Sequence, residues 1–344
     1  MITIDGSFGE GGGQILRTSL ALAAIAGQSV TITNIRAGRD KPGLRPQHLT
    51  GALAVAEICR AELTGAEVGS SKLTFKPGRI KPGDYEFDVS KIRASAGSAN
   101  LILQTVLWPL AFAGGRSRVT IKGGTHVPHA PTSNYIDDTF LPAIADMGLA
   151  CRYSMLKAGY YPIGGGEVRV EIPAIESLRP VSITERGEAM HVELTSAVSN
   201  LPASIAERQL DTAISRLKRM RLRSENAIEQ YSSPGKGTVT FISLTAGKAR
   251  AGFQSLGELK KRAEKVADDA CDELEAYLAS NTALDKHLAD QLILPIALAS
   301  GNSRFTTCEI TLHLLTSIAI VEQFLPVHFH VSAGLGQPGL VERV

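Results

Sequence analysis

The sequence predicts an α+β fold in which a unit of two helices and a small sheet occurs three times and forms a large domain. Strand and helix patterns follow one another in the same order near the N-terminus and in the middle of the chain. Near the C-terminus, residues 291–306 match residues 104–120 in pattern. A segment of different pattern, residues 185–280, precedes this third copy. We therefore expect a large domain, residues 1–184 and 281–344, with a smaller α+β domain inserted in its third repeat.

The first copy follows the order strand, glycine loop, helix, strand, basic loop, helix, strand. β-Branched residues indicate its strands, and apolar residues at steps of three and four indicate its helices. The strands are residues 2–5, 30–35 and 72–75, and the helices are residues 15–26 and 49–63. Gly27 directly follows the first helix, at a position where glycine commonly ends one.

The second copy repeats this order, with strands at residues 85–89, 119–121 and 167–172 and helices at residues 101–113 and 135–147. In the third copy, a helix that opens near residue 311 replaces the second helix, and residues 327–331 form the closing strand. The inserted segment has strands at residues 191–194 and 238–242 and charged helices at residues 205–220 and 256–278. Its basic run, residues 216–223, is either a binding site for a polyanion or a solvated helix end, and we favour the second interpretation.

The composition is that of an ordinary globular protein. The chain of 344 residues is 44% hydrophobic and 20% charged, with a net charge of +2, so any site for a polyanion must be a local cluster. Its four cysteines lie far apart and form no C-x-x-C pair, which argues against a zinc site and a disulfide framework. The sequence starts without a signal peptide and has no apolar run of membrane-spanning length. We expect a cytoplasmic protein with no membrane partner.

His313 is the first candidate for chemistry. It falls in the first turn of an amphipathic helix, where unpaired backbone N–H groups and the positive end of the helix dipole attract anions. An imidazole beside a bound phosphate can attack phosphorus and hold a phosphoryl or nucleotidyl group. The alternative is a satisfied histidine of the core or its boundary, which is the commoner case for a lone histidine in an apolar helix.

A glycine loop, residues 9–14 (GEGGGQ), precedes the first helix and is the second candidate. Glycine lets phosphate oxygens approach backbone N–H groups closely, and the carboxylate of Glu10 beside them suggests a bridging Mg²⁺. Arg17 lies one helical turn further on and can face the same site. The loop matches neither the dinucleotide nor the Walker pattern, so a tight strand-to-helix turn remains an equal alternative.

The basic loop is the third candidate. Arg36, Arg39, Lys41 and Arg45 fall within ten positions, and glycines and prolines between them keep the loop stiff. A guanidinium group can donate two parallel hydrogen bonds. This geometry suits a terminal phosphate, which has two ionisable oxygens, better than a bridging diester.

Together these motifs resemble the RNA 3′-terminal phosphate cyclases over essentially the whole chain. The residues that carry the resemblance are 9–17 (GEGGGQILR), 36–39 (RAGR), 41–44 (KPGL), 47–49 (QHL), 159–162 (GYYP), 164–166 (GGG), 289–292 (ADQL) and 313–316 (HLLT). The resemblance implies a large domain of three repeated units with a smaller inserted domain, in agreement with the pattern above. It implies an expectation for the insertion too: residues 185–280 carry no matched reactive residue, so they should assist folding or RNA docking.

The resemblance also implies a ligase reaction with two substrates, ATP and an RNA that ends in a 3′-phosphate. With Mg²⁺ or Mn²⁺, the family adenylylates a histidine, passes AMP to the 3′-phosphate, and lets the 2′-oxygen displace AMP to give a 2′,3′-cyclic phosphate. The matched positions are His313 for the nucleophile and Glu10 for the metal. Those for phosphate and RNA are Arg17, Arg36, Arg39, Gln47 and His48, and those for the nucleotide are Gln104, Pro131, His287, Asp290 and Gln291.

Three positions depart from the family pattern, and one alternative function follows from it. Ala158 stands where Arg or His is usual, His287 where Tyr is frequent, and Ser317 where Asn is frequent; none removes a group that the chemistry requires.

Some cyclase-like members lack the histidine and act as non-catalytic ribosome-assembly factors. His313 argues against that class, and the small net charge argues against a plain RNA-binding protein.

Overall fold

The computed structural model describes residues 1–93 and 95–344 and has the mixed α+β composition that the sequence predicts. Its strands form four sheets of four strands each within that part of the chain. No helix in the described residues is long and apolar enough to cross a membrane. The fold matters for function mainly because it brings the N-terminal turns of several helices to one cleft.

The first sheet has the strand order β1-β2-β4-β3, with β1 and β2 parallel and the remaining pairs antiparallel. Its elements are β1 (Ile2–Asp5), α1 (Gly13–Ala26), β2 (Val30–Thr33), α2 (Pro46–Cys59), β3 (Glu62–Thr64) and β4 (Leu73–Lys76). The predicted bounds of α2, residues 49–63, were wrong at both ends. Pro46 fits the first helical position, where its missing N–H loses no bond, and Arg60 ends the helix in the left-handed region (φ 53°).

The second sheet repeats the same arrangement, in the order β5-β6-β8-β7 with β5 and β6 parallel. Its elements are β5 (Asp84–Asp88), α3 (Ala99–Ala111), β6 (Ser117–Gly123), α4 (Ser133–Tyr135), α5 (Leu141–Asp146), β7 (Arg152–Lys157) and β8 (Gly166–Ile172). A π-helical turn (Ile136–Phe140) joins α4 to α5 within the single helix predicted there. β7 escaped prediction because none of its residues is fully buried, so it lacks a clear apolar alternation.

The inserted segment follows β9 (Ser182–Ile183) and forms its own sheet, β11-β10-β12-β13. Its elements are β10 (His191–Ser199), α6 (Ala203–Arg219), β11 (Glu225–Gln230), β12 (Gly237–Ala246), β13 (Ala249–Leu256) and α7 (Ala263–Ala279). The helix predicted at residues 256–278 starts later, since β12 and β13 form a hairpin that extends to Leu256. In the basic run, Arg216 is bound by Asp268, Asp272 and Glu275, so this arginine does not face a polyanion.

The C-terminal part completes the fourth sheet, in the order β15-β16-β14-β9 with β9 and β14 parallel. Its elements are α8 (Lys286–Leu298), β14 (Ser303–Thr307), α9 (Leu312–Phe324), β15 (Phe329–Val331) and β16 (Gly339–Arg343). In the core, α1 packs against α2, α3 and α9, and α9 packs against α8. The N-terminal turns of α1 and α9 meet there, since Gln14 contacts both His313 and Ser317.

Candidate active site

A cleft with a volume of about 610 Å³ is not lined by Lys41 or Arg45 of the basic loop, but it is lined by every residue that the family resemblance matches to a site role. These are Glu10, Arg17, Arg36, Arg39, Gln47, His48, Gln104, Pro131, His287, Asp290, Gln291 and His313. They come from α1, α2, α3, α8 and α9 and from the loops that precede α1, α2 and α4. Positions up to 303 apart in the chain therefore surround one space, although their individual roles remain predictions.

His313 lies in the first turn of α9, as predicted. Thr311 caps this helix, because its hydroxyl accepts a hydrogen bond (3.1 Å) from the backbone N–H of Leu314. The His313 side chain is 49% exposed and lines the cleft, so the alternative of a buried core histidine does not fit. Partial burial, with Arg17, His287 and Arg39 nearby, lowers the pKa of His313 to about 4. Its imidazole is therefore neutral near pH 7, the form that can act as a nucleophile.

Glu10 lies beside His313 and is tied to the same helix. Its backbone N–H donates to the hydroxyl of Thr316 (3.1 Å), one turn after His313 on α9. Its Oε1 pairs with the guanidinium of Arg39 and lies 3.8 Å from Nε2 of His313. Its Oε2 is buried without a hydrogen-bond partner. A buried carboxylate oxygen with no partner fits a divalent cation that takes one protein carboxylate and completes its shell with substrate phosphates.

Gly13 explains why the glycine loop needs glycine at the start of α1. A Cβ at this position would lie 2.5 Å from Nε2 of His48 and 3.1 Å from Nη1 of Arg17. Only glycine therefore lets both side chains approach the first turn of α1. That turn has no side-chain cap at Gly12, so no side chain competes with an anion for its backbone N–H groups.

Arg36 and Arg39 occupy the cleft wall and are held by backbone carbonyls. Arg36 donates to the carbonyl of Lys41 (2.6 Å), which braces its own loop. Arg39 donates to the carbonyl of Glu10 (3.1 Å) as well as pairing with its carboxylate. Both guanidinium groups are thereby held in place by the protein itself.

His48 and Gln47 open α2 at the other side of the glycine loop. Nδ1 of His48 accepts from the backbone N–H of Arg45 (3.2 Å), which leaves Nε2–H as a donor near Gly13. Burial, followed by Arg36, Arg17 and Arg45, lowers the pKa of His48 to about 3, so the ring is neutral. Gln47 accepts from the backbone N–H of Ser98 (2.7 Å) and ties α2 to the start of α3.

The opposite wall consists of α3 and α8. Gln104 on α3 donates to the side-chain carbonyl of Gln291 on α8 (2.7 Å). Burial raises the pKa of Asp290, against the attraction of Arg17, and thereby favours the protonated carboxyl. A protonated carboxyl can donate a hydrogen bond as well as accept one. His287 is exposed at the mouth of the cleft.

Gln14, Tyr135 and Gln254 are among the residues of this cleft that were not predicted as site residues. In the sequence, Gln14 is the last residue of the glycine loop, and nothing there indicated a role for it. Gln254 lies on β13 of the inserted segment and reaches the loop that carries Pro131. Tyr135 donates to the carboxylate of Asp285 (3.0 Å), which also accepts from the backbone N–H of Gly252 on β13. Sequence patterns do not reveal such contacts between distant segments.

A second cleft, of about 540 Å³, lies beside β10 and β11 of the inserted segment. Its lining includes five carboxylates and, among the residues that the structure describes, no lysine or arginine: Asp137, Asp138, Glu193, Glu225 and Glu229. Burial and then Asp137, Glu193 and Glu229 raise the pKa of Asp138 to about 7. Because such a wall repels polyanions, the cleft around His313 is the one suited to phosphate.

Comparison with known proteins agrees with this geometry. Residues 8–331 match the family model for RNA 3′-terminal phosphate cyclase. Curated proteins of that name from Nostoc punctiforme, Koribacter versatilis and Methylococcus capsulatus are each 44% identical to the chain. These matches cover 94%, 96% and 94% of this chain and 94%, 92% and 91% of the respective relatives. The likeness therefore includes residues 185–280 as well as the segments on either side of them.

Proposed function

The chain belongs to the RNA 3′-terminal phosphate cyclase family, and from that premise we propose that it converts the 3′-terminal phosphate of an RNA into a 2′,3′-cyclic phosphate at the expense of ATP. The observation that carries the proposal is the setting of His313. A neutral imidazole opens a helix N-terminus and faces a cleft lined by three arginines and a carboxylate with an unpartnered oxygen. This is the combination that nucleotidyl transfer to histidine requires.

In the first step, Nε2 of His313 attacks the α-phosphorus of ATP. The N–P bond forms as the bond to the bridging oxygen breaks, and pyrophosphate leaves with that electron pair. Arg39 and Arg36 line the same cleft and would balance the phosphate charge. Glu10 would hold Mg²⁺ or Mn²⁺, which supplies charge neutralisation as pyrophosphate departs.

In the second step, an oxygen of the RNA 3′-phosphate attacks the same phosphorus and breaks the N–P bond. The electron pair returns to Nε2, and the product is an anhydride between the RNA phosphate and AMP. In the third step, the 2′-hydroxyl attacks the RNA phosphorus and loses its proton, and AMP leaves. Activation is needed because a phosphate oxygen is a poor leaving group, whereas AMP is a good one.

The remaining side chains divide between the two substrates. Arg17, Gln47 and His48 cluster at the first turn of α1, where we assign them to phosphate and RNA. Gln104, Pro131, His287, Asp290 and Gln291 line the wall of α3 and α8, where we assign them to the nucleotide. Exposed His287 offers adenine a smaller stacking surface than the tyrosine frequent in the family.

We also propose that the three sheets outside residues 185–280 are copies of one ancestral unit. Each has one parallel pair followed by two antiparallel pairs, in the same chain order. The inserted segment has a separate core around Val192, Leu217 and Phe253, which supports its treatment as a domain of its own.

The test is labelling of the purified protein with ATP that carries ³²P at the α-phosphate. The wild-type protein should acquire a covalent label that is labile to acid and stable to base, as expected for a phosphoramidate. His313→Ala should acquire none, yet should still cyclise an RNA whose 3′-phosphate already carries AMP. Normal labelling of His313→Ala would refute the assignment of the nucleophile. A wild-type protein that takes no label but binds RNA would favour the non-catalytic alternative.

A further inference from the structure

Gln14 bridges the two helices that meet at the candidate nucleophile. It is the second residue of α1 and is only 8% exposed. Its side-chain oxygen contacts Nδ1 of His313, and its side-chain nitrogen donates to the hydroxyl of Ser317. His313 and Ser317 lie one turn apart on α9, so a single amide spans the turn that carries the reactive ring.

We propose that Gln14 is a positioning residue that holds the proton of the His313 ring on Nδ1 and thereby directs the lone pair of Nε2 into the cleft. The inference deepens the proposed function and rests on it, because it concerns how that nucleophile is prepared. Gln14 is assigned no contact with either substrate.

The contacts of the ring decide which nitrogen carries the proton. A carbonyl oxygen accepts hydrogen bonds only, so its contact with Nδ1 requires Nδ1–H. On the other side, Oε1 of Glu10 is 3.8 Å from Nε2, too far to hold a proton there. In a neutral imidazole the hydrogen bond made by one nitrogen fixes the state of the other. Nε2 is therefore the nitrogen with the free electron pair.

Ser317 accepts a hydrogen bond from the amide of Gln14. Its hydroxyl oxygen accepts from the NH₂ group, which leaves the amide oxygen facing His313. The opposite orientation would present NH₂ to Nδ1 and move the ring proton to Nε2, where it would block attack. Ser317 is also the position at which the chain departs from the Asn frequent in the family, and the contact shows what the serine does instead.

The same contact serves both transfers without moving a proton. When Nε2 bonds to phosphorus, the ring becomes cationic and retains the Nδ1 proton, which faces the oxygen of Gln14. When the N–P bond breaks, its electrons return to Nε2 and the ring is neutral again. No acid or base is needed at Nδ1 in either direction, so an uncharged acceptor is sufficient there.

The experiment measures the tautomer directly by ¹⁵N NMR of protein labelled at histidine, without ATP or RNA. The His313 signals are identified by their loss in His313→Ala. Gln14→Leu removes the acceptor at similar volume, and Gln14→Glu retains an accepting oxygen and adds charge. Gln323→Leu, at the exposed end of α9, is the matched control. Single-turnover adenylylation is measured for each variant from pH 5 to pH 9.

We expect wild-type His313 to show protonated Nδ1 and unprotonated Nε2, and Gln14→Leu to lose that preference. Adenylylation should fall about 10²-fold in Gln14→Leu, with little change in the ATP concentration that gives half the maximal rate. Gln14→Glu should retain the tautomer, and its added charge should move the acid limb of the rate profile upward by about one pH unit. Gln323→Leu should match wild type. The other charged or titratable groups that face the ring, Glu10, Arg17, Arg39 and His287, are unchanged in all variants.

A wild-type ring protonated on Nε2 would overturn the inference, as would an unchanged tautomer and rate in Gln14→Leu. Failure of the proposed function looks different. If the nucleotide label maps to another residue while NMR still shows Nδ1–H in contact with Gln14, the nucleophile assignment fails and the hydrogen bond stands. If label maps to His313 and Gln14→Leu behaves as wild type, the positioning role alone fails.

Discussion

Gln254 accepts a hydrogen bond from the backbone N–H of Thr132 across a distance of 2.9 Å, and this contact joins the inserted segment to the cleft around His313. The amide NH₂ of the same side chain donates to the carbonyl of Ala130 (3.0 Å). Both partners flank Pro131, one of the residues assigned to the nucleotide. The two hydrogen bonds of Gln254 thus connect residues 185–280 to one wall of the cleft around His313.

Gln254→Ala should therefore weaken ATP binding. The substitution leaves the Thr132 N–H and the Ala130 carbonyl without partners, at a cost of about 1–3 kcal/mol for each buried group. We expect the ATP concentration for half-maximal adenylylation to rise about tenfold, while the label still attaches to His313. Gln230→Ala, an exposed glutamine of the same inserted sheet, should match wild type. Unchanged ATP dependence in Gln254→Ala would show that the loop around Pro131 keeps its shape without these two hydrogen bonds.

Arg39→Lys should impair the reaction although it keeps the positive charge. The guanidinium of Arg39 contacts both the carbonyl and the carboxylate of Glu10. A lysine ammonium cannot make both of these contacts and also donate a pair of hydrogen bonds to a phosphate. We expect adenylylation and cyclisation to fall about 10- to 100-fold. Arg79→Lys, at an exposed position away from the cleft, serves as the control. Wild-type turnover in Arg39→Lys would rule out the bidentate role.

Much of this site is foreseeable from the sequence for a physical reason. Many of its residues lie at or just before the beginnings of helices, where glycine, capping residues and unpaired N–H groups leave local signatures, whereas Gln104 and Gln291 lie inside α3 and α8. The loop at residues 9–14 and the turn at His313 are such places, and the fold brings them together. The contribution of Gln254 has no local signature. It depends on the β12–β13 hairpin, whose second strand was not recognised, and on a contact across more than a hundred residues.

Glu10→Gln should raise the requirement for metal without changing where AMP attaches. The amide keeps the size of the side chain but removes the charge from the buried Oε2, which lacks a protein partner. The Mg²⁺ concentration for half-maximal adenylylation should rise about tenfold, since a divalent cation prefers a charged oxygen ligand to a neutral amide. Mapping of the labelled peptide should still give His313. Identical Mg²⁺ titrations for Glu10→Gln and wild type would exclude Glu10 from the metal site.

Acid should destabilise the fold through buried His126, a histidine outside the proposed chemistry. Its Nδ1 contacts the hydroxyl of Thr125 (2.8 Å), its Nε2 contacts the side-chain oxygen of Asn134 (3.0 Å), and its ring stacks on Tyr160. Burial lowers the pKa of His126 to about 4, despite the opposing effect of Asn134. The unfolded chain titrates near the ordinary histidine value of about 6.5.

Between these two values the unfolded chain binds a proton that the native state excludes, so the free energy of unfolding falls as pH drops from about 6.5 to about 4. At about 1.4 kcal/mol per pH unit, His126 should account for about 2 kcal/mol of lost stability between pH 7 and pH 5. The free energy of unfolding is measured in urea at these two pH values. The difference between the two values should therefore be smaller in His126→Gln than in wild type by about that amount. His330→Gln, at an exposed position, should keep the wild-type difference. Equal differences in wild type and His126→Gln would mean that the native state accommodates a protonated ring at this position.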